Sequence, residues 1–111
     1  MSHKAPQIHS KTESEIRNAA YDFTDALEDG ELLTGTPTVE DPADGLTIDN
    51  VRVNTAAIEI LGVEVAVGKA VQWRVSGGTA GTTYTLDIEA DTDATPAQTL
   101  RGEAVLVVEE D

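Results

Sequence analysis

Apolar and polar residues alternate along most of the chain from Thr34 to its end. Two segments, 69–77 and 83–92, show the alternation most clearly. Their apolar positions are Val71, Trp73, Val75, Tyr84, Leu86, Ile88 and Ala90. A period of two places these side chains on one face of an extended chain and has no helical competitor here. Both segments are therefore predicted to be half-buried β-strands.

Shorter runs of the same kind occupy the rest of this region. They lie at 36–39, 46–53, on either side of Gly62 within 55–67, and at 99–110, with a predicted turn at 40–45. The last run is apolar on both faces at Ala104–Val108, which is typical of a strand that is covered on both sides or lies at an interface.

These patterns predict an all-β protein. About seven short strands, with turn signals every ~8–12 residues, are typical of an immunoglobulin-like antiparallel β-sandwich. Residues 1–12 are polar, contain Pro6 and show neither period, so we predict an extended N-terminal arm there, either flexible or docked on a neighbour. Residues 13–111 are then the single sandwich domain, which is long enough to bury its own core.

The segment 13–29 permits two interpretations. A capping-box pair at Thr12 and Glu15, followed by apolar residues at helical spacing and then Gly30, predicts a helix. Alternation around Tyr21 and Phe23, followed by a possible turn at 27–32, predicts a strand instead.

The segment 77–82 contains only Gly, Thr and Ala between two predicted strands. Gly77, Gly78 and Gly81 allow backbone angles that other residues adopt only at a cost, so we predict a hairpin turn. A phosphate-binding loop would require a helix N-terminus after it, and a strand follows instead.

The net charge of −14 and a pI near 4.2 argue against nucleic acid and anionic membranes as partners. The first 17 residues carry three basic and two acidic groups (+1), which leaves four basic and nineteen acidic groups (−15) for the rest. There is no cysteine. No apolar run approaches the ~20 residues of a membrane span, and no export signal is expected.

No catalytic, cofactor-binding or metal-binding residue is predicted. His3 and His9 both lie in the predicted arm, away from a fixed pocket. Four carboxylates alternate at Asp87, Glu89, Asp91 and Asp93, but a strand spaces them about 6.6 Å apart, too far to share one calcium ion. We therefore expect a solvated acidic face. Trp73 could stack on a sugar if exposed, but its apolar face makes it a core residue.

Three stretches, 21-YDFTDALEDGELL-33, 73-WRVSGGTAGTTYTL-86 and 103-EAVLVVEE-110, resemble small structural proteins of tailed bacteriophages, described as virion-associated, fibre-to-tail adaptor or cement proteins. The resemblance implies a non-enzymatic virion protein present in several copies or as a homo-oligomer. It also favours a strand at 20–24 over the long helix.

Our first hypothesis is an adaptor or decoration protein that contacts other virion proteins, whether capsid, portal, tail or fibre, through its arm (Met1–Thr12) and strand edges, including Ala104–Val108. It would reside in the virion, and in the host cytoplasm during assembly. The alternatives are a carbohydrate- or cell-surface-binding immunoglobulin-like module, using Thr79–Thr83 or an exposed Trp73, and a calcium-dependent module using 87–93.

Overall fold

A computed structural model describes residues 7–60 and 62–111, and within these the chain forms nine strands and one short 3-10 helix, Thr24–Ala26. The strands are β1 (Gln7–Thr12), β2 (Arg17–Asp22), β3 (Leu33–Glu40), β4 (Leu46–Val53), β5 (Ile58–Ile60), β6 (Val63–Val65), β7 (Ala70–Gly77), β8 (Thr83–Thr92) and β9 (Thr99–Glu109). The all-β prediction is confirmed.

The strands form three sheets. One has four strands in the order β1-β9-β8-β3, one has three in the order β2-β7-β4, and β5 and β6 form a two-stranded hairpin. All pairs are antiparallel except β1 and β9. No hairpin joins β1 to β9, because the chain after β1 passes to the three-stranded sheet, so a parallel pairing is possible. The immunoglobulin-like arrangement of the sheets stays a prediction.

The main core lies between the four-stranded and the three-stranded sheet. Its buried side chains are Tyr21, Phe23, Leu33, Val71, Trp73, Val75, Tyr84, Leu86, Ile88, Ala90, Leu100, Ala104, Leu106 and Val108. On β7 and β8 every apolar position of the alternating pattern is buried, as predicted. A smaller cluster of Ile60, Val65 and Ala70 packs beneath the β5–β6 hairpin on the outer face of the three-stranded sheet.

The last strand is interior to its sheet. β9 pairs with β1 on one side and β8 on the other. Ala104, Leu106 and Val108 are buried, whereas Val105 and Val107 on the outer face are half-buried. Ala104–Val108 therefore presents side chains but no free backbone edge. The edge strand on this side of the sheet is β1.

The helix considered for 13–29 is wrong. One contact of the capping box does form, since the Thr12 N–H donates to Glu15 Oε1 at 2.7 Å. The Glu15 N–H, however, donates to the Thr12 backbone carbonyl at 3.2 Å, which closes a turn. The chain then enters β2, pairs with β7, and packs the rings of Tyr21 and Phe23 4.8 Å apart. Burying these two rings outweighs the local helical preference. The strand expected at 20–24 is present as far as Asp22.

The segment 77–82 has the positive φ angles predicted for its glycines, but it does not join two strands of one sheet. Gly77, Gly78 and Gly81 have φ of 82°, 92° and 83°. β7 and β8 belong to different sheets, so the segment crosses from one sheet to the other and the predicted hairpin is wrong. The crossing is held by core contacts: the Thr79 N–H donates to the Tyr84 hydroxyl at 3.0 Å, and the Gly81 N–H to the Val108 carbonyl at 2.8 Å.

The predicted arm is described only in part. Residues 1–6, with His3, lie outside the described residues, and Gln7–Thr12 form the edge strand β1. The turn predicted at 40–45 is present after β3, and the two runs predicted on either side of Gly62 form β5 and β6.

Candidate functional site

Trp73 lies in the core. Its side chain is fully buried, with the His9 ring edge-on at a centroid distance of 6.2 Å. The indole Nε1 has no hydrogen-bond partner among the described residues. Because no face of the ring is open to solvent, Trp73 offers no stacking surface for a sugar.

The acidic residues of β8 do not converge. Glu89 pairs with Arg101, Asp91 accepts the hydroxyl of Thr99 at 2.7 Å, and Asp93 accepts the Leu32 N–H at 2.9 Å. Within residues 7–60 and 62–111 no group of three or more potential ligands could hold a metal ion. Glu89, Asp91 and Asp93 thus have separate partners along and beyond the strand.

In the segment that crosses between the sheets, 77–82, the backbone N–H groups of residues 79–82 already have hydrogen-bond partners. In addition to the two bonds described above, the Ala80 N–H donates to Glu13 Oε2 at 3.1 Å and the Thr82 N–H to the Thr79 carbonyl at 3.1 Å. These amides are occupied by the chain's own acceptors, so they do not form a cradle for an anion.

The turn between β1 and β2 is built on a buried lysine. Lys11 is only 2% exposed, and its ammonium donates to the carbonyls of Thr12, Glu13 and Glu15 at 2.8, 3.2 and 3.1 Å. Three donors meet three acceptors, which satisfies the charge by hydrogen bonding. The hydrogen bond from the Thr12 backbone is the main cause that lowers the pKa of Glu15.

The same turn is tied to the chain end. Asp111 accepts the Ser14 hydroxyl at 2.5 Å and the Ser14 N–H at 3.1 Å, and the hydroxyl contact is the main cause that lowers the pKa of Asp111. The Glu13 N–H donates to the Glu109 carbonyl at 3.0 Å. The C-terminal end of β1 is therefore fixed to the end of β9.

Asn54 is a second buried polar centre. It follows β4, and its side chain links Ala56 and Ala66, which flank the β5–β6 hairpin, to the chain at the start of β7. Its Oδ1 accepts three backbone N–H groups, and its Nδ2 donates to two carbonyls. Sequence reasoning did not identify Lys11 or Asn54, because no local pattern marks a polar side chain as buried. The only general signal is that backbone carbonyls and amides in turns need hydrogen-bond partners.

The two main sheets meet differently on their two flanks. On one flank β3 and β4 are joined by the turn at 40–45 and pack closely. On the other flank, β1 and β2 are the sheet edges and contact each other little. We call this second side the open flank.

Two hollows lie along the open flank. One of about 350 Å³ is lined by residues of β2 and β5, including Ala20, Ile58 and Ile60. One of about 250 Å³ extends towards the turn after β1. They share His9, Asn18 and Ala19, so together they follow the edge of β2.

His9 bridges the open flank. Its Nε2 lies 3.0 Å from the Ala20 carbonyl, which connects β1 to the edge of β2 across the gap between the sheets. Burial lowers the pKa of the imidazole, and the hydrogen bond to Ala20 only partly opposes this. At neutral pH the bridge is therefore made by the uncharged ring, whose N–H donates to the carbonyl.

The fold and these sites define a small β-rich structural module, with saturated polar centres, an open pair of strand edges and no assembled catalytic or metal cluster in the described part of the chain. A family model described as Podophage GP4 fiber-tail adaptor protein gp77 matches residues 11–106. The chain therefore belongs to this family of fiber-tail adaptor proteins, and it is a structural component of the phage tail and not an enzyme.

The family membership confirms the resemblance to phage adaptor proteins and assigns the virion tail. It implies binding of tail and fibre proteins, and it lends no support to capsid decoration. Searches of curated proteins and of solved structures found no significant match. In the part of the chain that is described, no helix has the length and apolar character of a membrane span.

Proposed function

We propose that this chain joins a tail protein to a fibre protein through its N-terminal segment and its strand edges, in several copies per tail. The family supplies the two classes of partner. The observation that carries the proposal is the open flank, where the edge strands of both main sheets lie side by side next to two hollows. Unpaired strand edges are ready templates for pairing with another chain.

The charge of the chain fits this role. A body of strongly negative charge keeps free copies apart, while a partner with a basic segment is attracted. We infer that the protein stays soluble in the host cytoplasm during assembly and is built into the tail when both partners are present.

The alternative of a carbohydrate-binding module has less support. Its aromatic residue, Trp73, is in the core, and the amides of the loop near Thr79–Thr83 are bonded within the chain. No other observation favours glycan binding over adaptor function.

A reconstitution with the fibre protein and the tail protein of the same virion tests the proposal. The mass of the mixture, measured by size-exclusion chromatography with light scattering, is expected to show one complex containing all three chains. A variant lacking residues 1–6 keeps β1 intact and measures the contribution of the N-terminal segment. Binding of neither partner, or of only one at a time, would contradict the adaptor function.

A further inference from the structure

Along β2 the backbone N–H and C=O groups of successive residues point alternately towards β7 and towards the open flank. The Phe23 N–H donates to the Lys69 carbonyl at 2.9 Å, so in this antiparallel pair Arg17, Ala19 and Tyr21 also direct their backbone groups to β7. Asn18 and Ala20 then direct theirs away from β7. The contact of His9 with the Ala20 carbonyl agrees with this assignment, and no described residue accepts a hydrogen bond from the Asn18 N–H.

The other three edges of the two main sheets carry features that disfavour strand addition. β3 contains Pro37 and a register shift between Thr34 and Thr38, and β4 has a register shift between Asp49 and Arg52. β1 directs the charged Lys11 inward. Proline, bulges and inward charges are the usual protections of sheet edges.

β2 carries these protections only at its ends. It pairs with β7 in one continuous register from Arg17 to Asp22 and contains no proline. Its charged residues are the first, exposed Arg17, and the last, buried Asp22, whose Oδ1 accepts the Thr24 N–H at 2.8 Å. Among the edges of the two main sheets, the stretch 18–21 is thus best prepared to receive another strand.

The larger hollow supplies a place for a side chain of such a strand. The alanines of β2 leave room above the edge, and Ile58 and Ile60 of the hairpin form an apolar wall opposite Ala20. A volume of about 350 Å³ admits an apolar side chain together with neighbouring backbone. An added strand places every second side chain on this face.

The hairpin beside the hollow carries an uncompensated charge pair. Glu59 and Glu64 stand directly opposite each other in the β5–β6 pairing, and both are exposed. Neither has an ion pair or hydrogen bond within the described residues. Like charges in this position are unfavourable, so a cation supplied by a partner would relieve the repulsion.

We propose that the β2 edge binds an extended segment of the fibre protein that combines an apolar residue with a lysine or arginine. The segment pairs with the backbone of Asn18 and Ala20, inserts its apolar residue against Ile58 and Ile60, and places its cation near Glu59 and Glu64. The imidazole of His9 occupies the Ala20 carbonyl in the free protein and gives way to a backbone N–H of the incoming strand. This inference rests on the proposed adaptor function.

A matched pair of variants at Asn18 tests the backbone contact. Asn18→Pro removes the outward N–H, which the fold does not use, and places a ring at the edge, whereas Asn18→Ala keeps the N–H. With purified fibre protein of the same virion, calorimetric titration is expected to give binding weaker by about tenfold or more for Asn18→Pro, and unchanged for Asn18→Ala. Hydrogen exchange at the amides of Asn18 and Ala20 in the wild-type chain should slow on complex formation.

A matched pair of charge reversals tests the second contact. Glu59→Lys with Glu64→Lys is expected to weaken fibre binding. Asp87→Lys with Glu103→Lys makes the same change at another directly opposed acidic pair, on the outer face of the four-stranded sheet, and should leave binding near the wild-type value. Thermal melting of each variant establishes that it is folded, and if Asn18→Pro is not, the exchange and charge data decide.

The outcomes separate the two proposals. If wild-type protein binds the fibre while the β2 amides stay unprotected and the Glu59/Glu64 reversal binds normally, the fibre uses another surface; the inference fails and the adaptor function stands. If wild-type protein does not bind the fibre protein at all, the proposed function fails and the inference fails with it.

Discussion

Replacing Asn54 with alanine is the most direct test of what holds the hairpin region together. In the wild type, Asn54 Oδ1 accepts the N–H groups of Gly68, Lys69 and Ala70 at 3.0, 3.1 and 3.0 Å. Its Nδ2 donates to the carbonyls of Ala56 and Ala66, both at 3.0 Å. The substitution removes five hydrogen bonds while leaving the backbone of the residue in place.

The loss of stability depends on which backbone N–H groups keep a hydrogen-bond acceptor. Gly68 retains the Asn54 carbonyl at 3.1 Å, and Lys69 retains the Ala66 carbonyl at 3.3 Å. Only the N–H of Ala70, which is fully buried, is left without an acceptor. An orphaned buried donor costs about 1–3 kcal/mol, and the lost bonds to exposed carbonyls add roughly 1 kcal/mol, so we expect the free energy of unfolding to fall by about 2–4 kcal/mol.

Urea unfolding followed by tryptophan fluorescence measures this change, because Trp73 is buried in the core. The melting temperature should fall by roughly 10–20 °C, with an unchanged m-value. Asn18→Ala is the control: Asn18 is exposed on β2, so its change should stay within about 0.5 kcal/mol. A loss below about 1 kcal/mol for Asn54→Ala would refute the view that this side chain organises the region.

Three further predictions concern the crossing segment, the His9 bridge and calcium. Gly78→Ala should destabilise by about 2–4 kcal/mol, because φ is 92° and the added Cβ would lie 2.9 Å from Val108 Cγ2. Gly81→Ala, at φ 83° with nothing within 4 Å, should cost only about 1 kcal/mol; equal costs in urea unfolding would contradict the packing argument. The folded-state pKa of His9 lies below its ordinary value of 6.5, so the unfolded chain binds more protons, and stability that is complete above pH 6.5 should decline as the pH falls through the lowered pKa. His9→Gln should flatten this part of the stability curve, and an unchanged slope would be evidence against the buried neutral ring. Adding millimolar calcium should leave the melting temperature unchanged, and a clear rise would revive the calcium-dependent module.

The sequence predicts the strands whose inward and outward positions differ most in polarity. On β7 and β8 the alternation is unbroken, so the buried face, including Trp73, follows from the pattern alone. The same reasoning cannot tell which sheet a strand joins. The segment 77–82 has turn residues that suit a hairpin or a crossing, and in the crossing it bonds to a distant residue, since the Gly81 N–H donates to the Val108 carbonyl at 2.8 Å.

The segment 13–29 also shows that a local sequence signal does not decide which secondary structure forms. Of the capping box predicted for Thr12 and Glu15, the hydrogen bond from the Thr12 N–H to the Glu15 carboxylate forms. It closes a turn because the residues after it gain more from pairing with β7 than from a helix. Local sequence thus gives the hydrogen bond, while the element that follows is decided by distant residues.

The open flank could not be predicted from the alternation of apolar and polar residues, for a related reason. Its hollows form only when β1, β2 and β5 are brought together from three parts of the chain. Gln7–Thr12, within the predicted arm, form a strand because the parallel pairing with β9 supplies backbone partners that a single-strand pattern does not reveal.

The charge of the chain opposes self-association through the β2 edge. Two copies that met edge to edge would bring together bodies of net charge −14 each, and at moderate ionic strength that repulsion acts over about 10 Å, which exceeds the ~5 Å between paired strands. The basic fibre segment proposed above would meet no such barrier. Self-association is therefore opposed by the same charge that favours the partner, so the copies in a tail are expected to be held together by the proteins they bind and not by their own β2 edges.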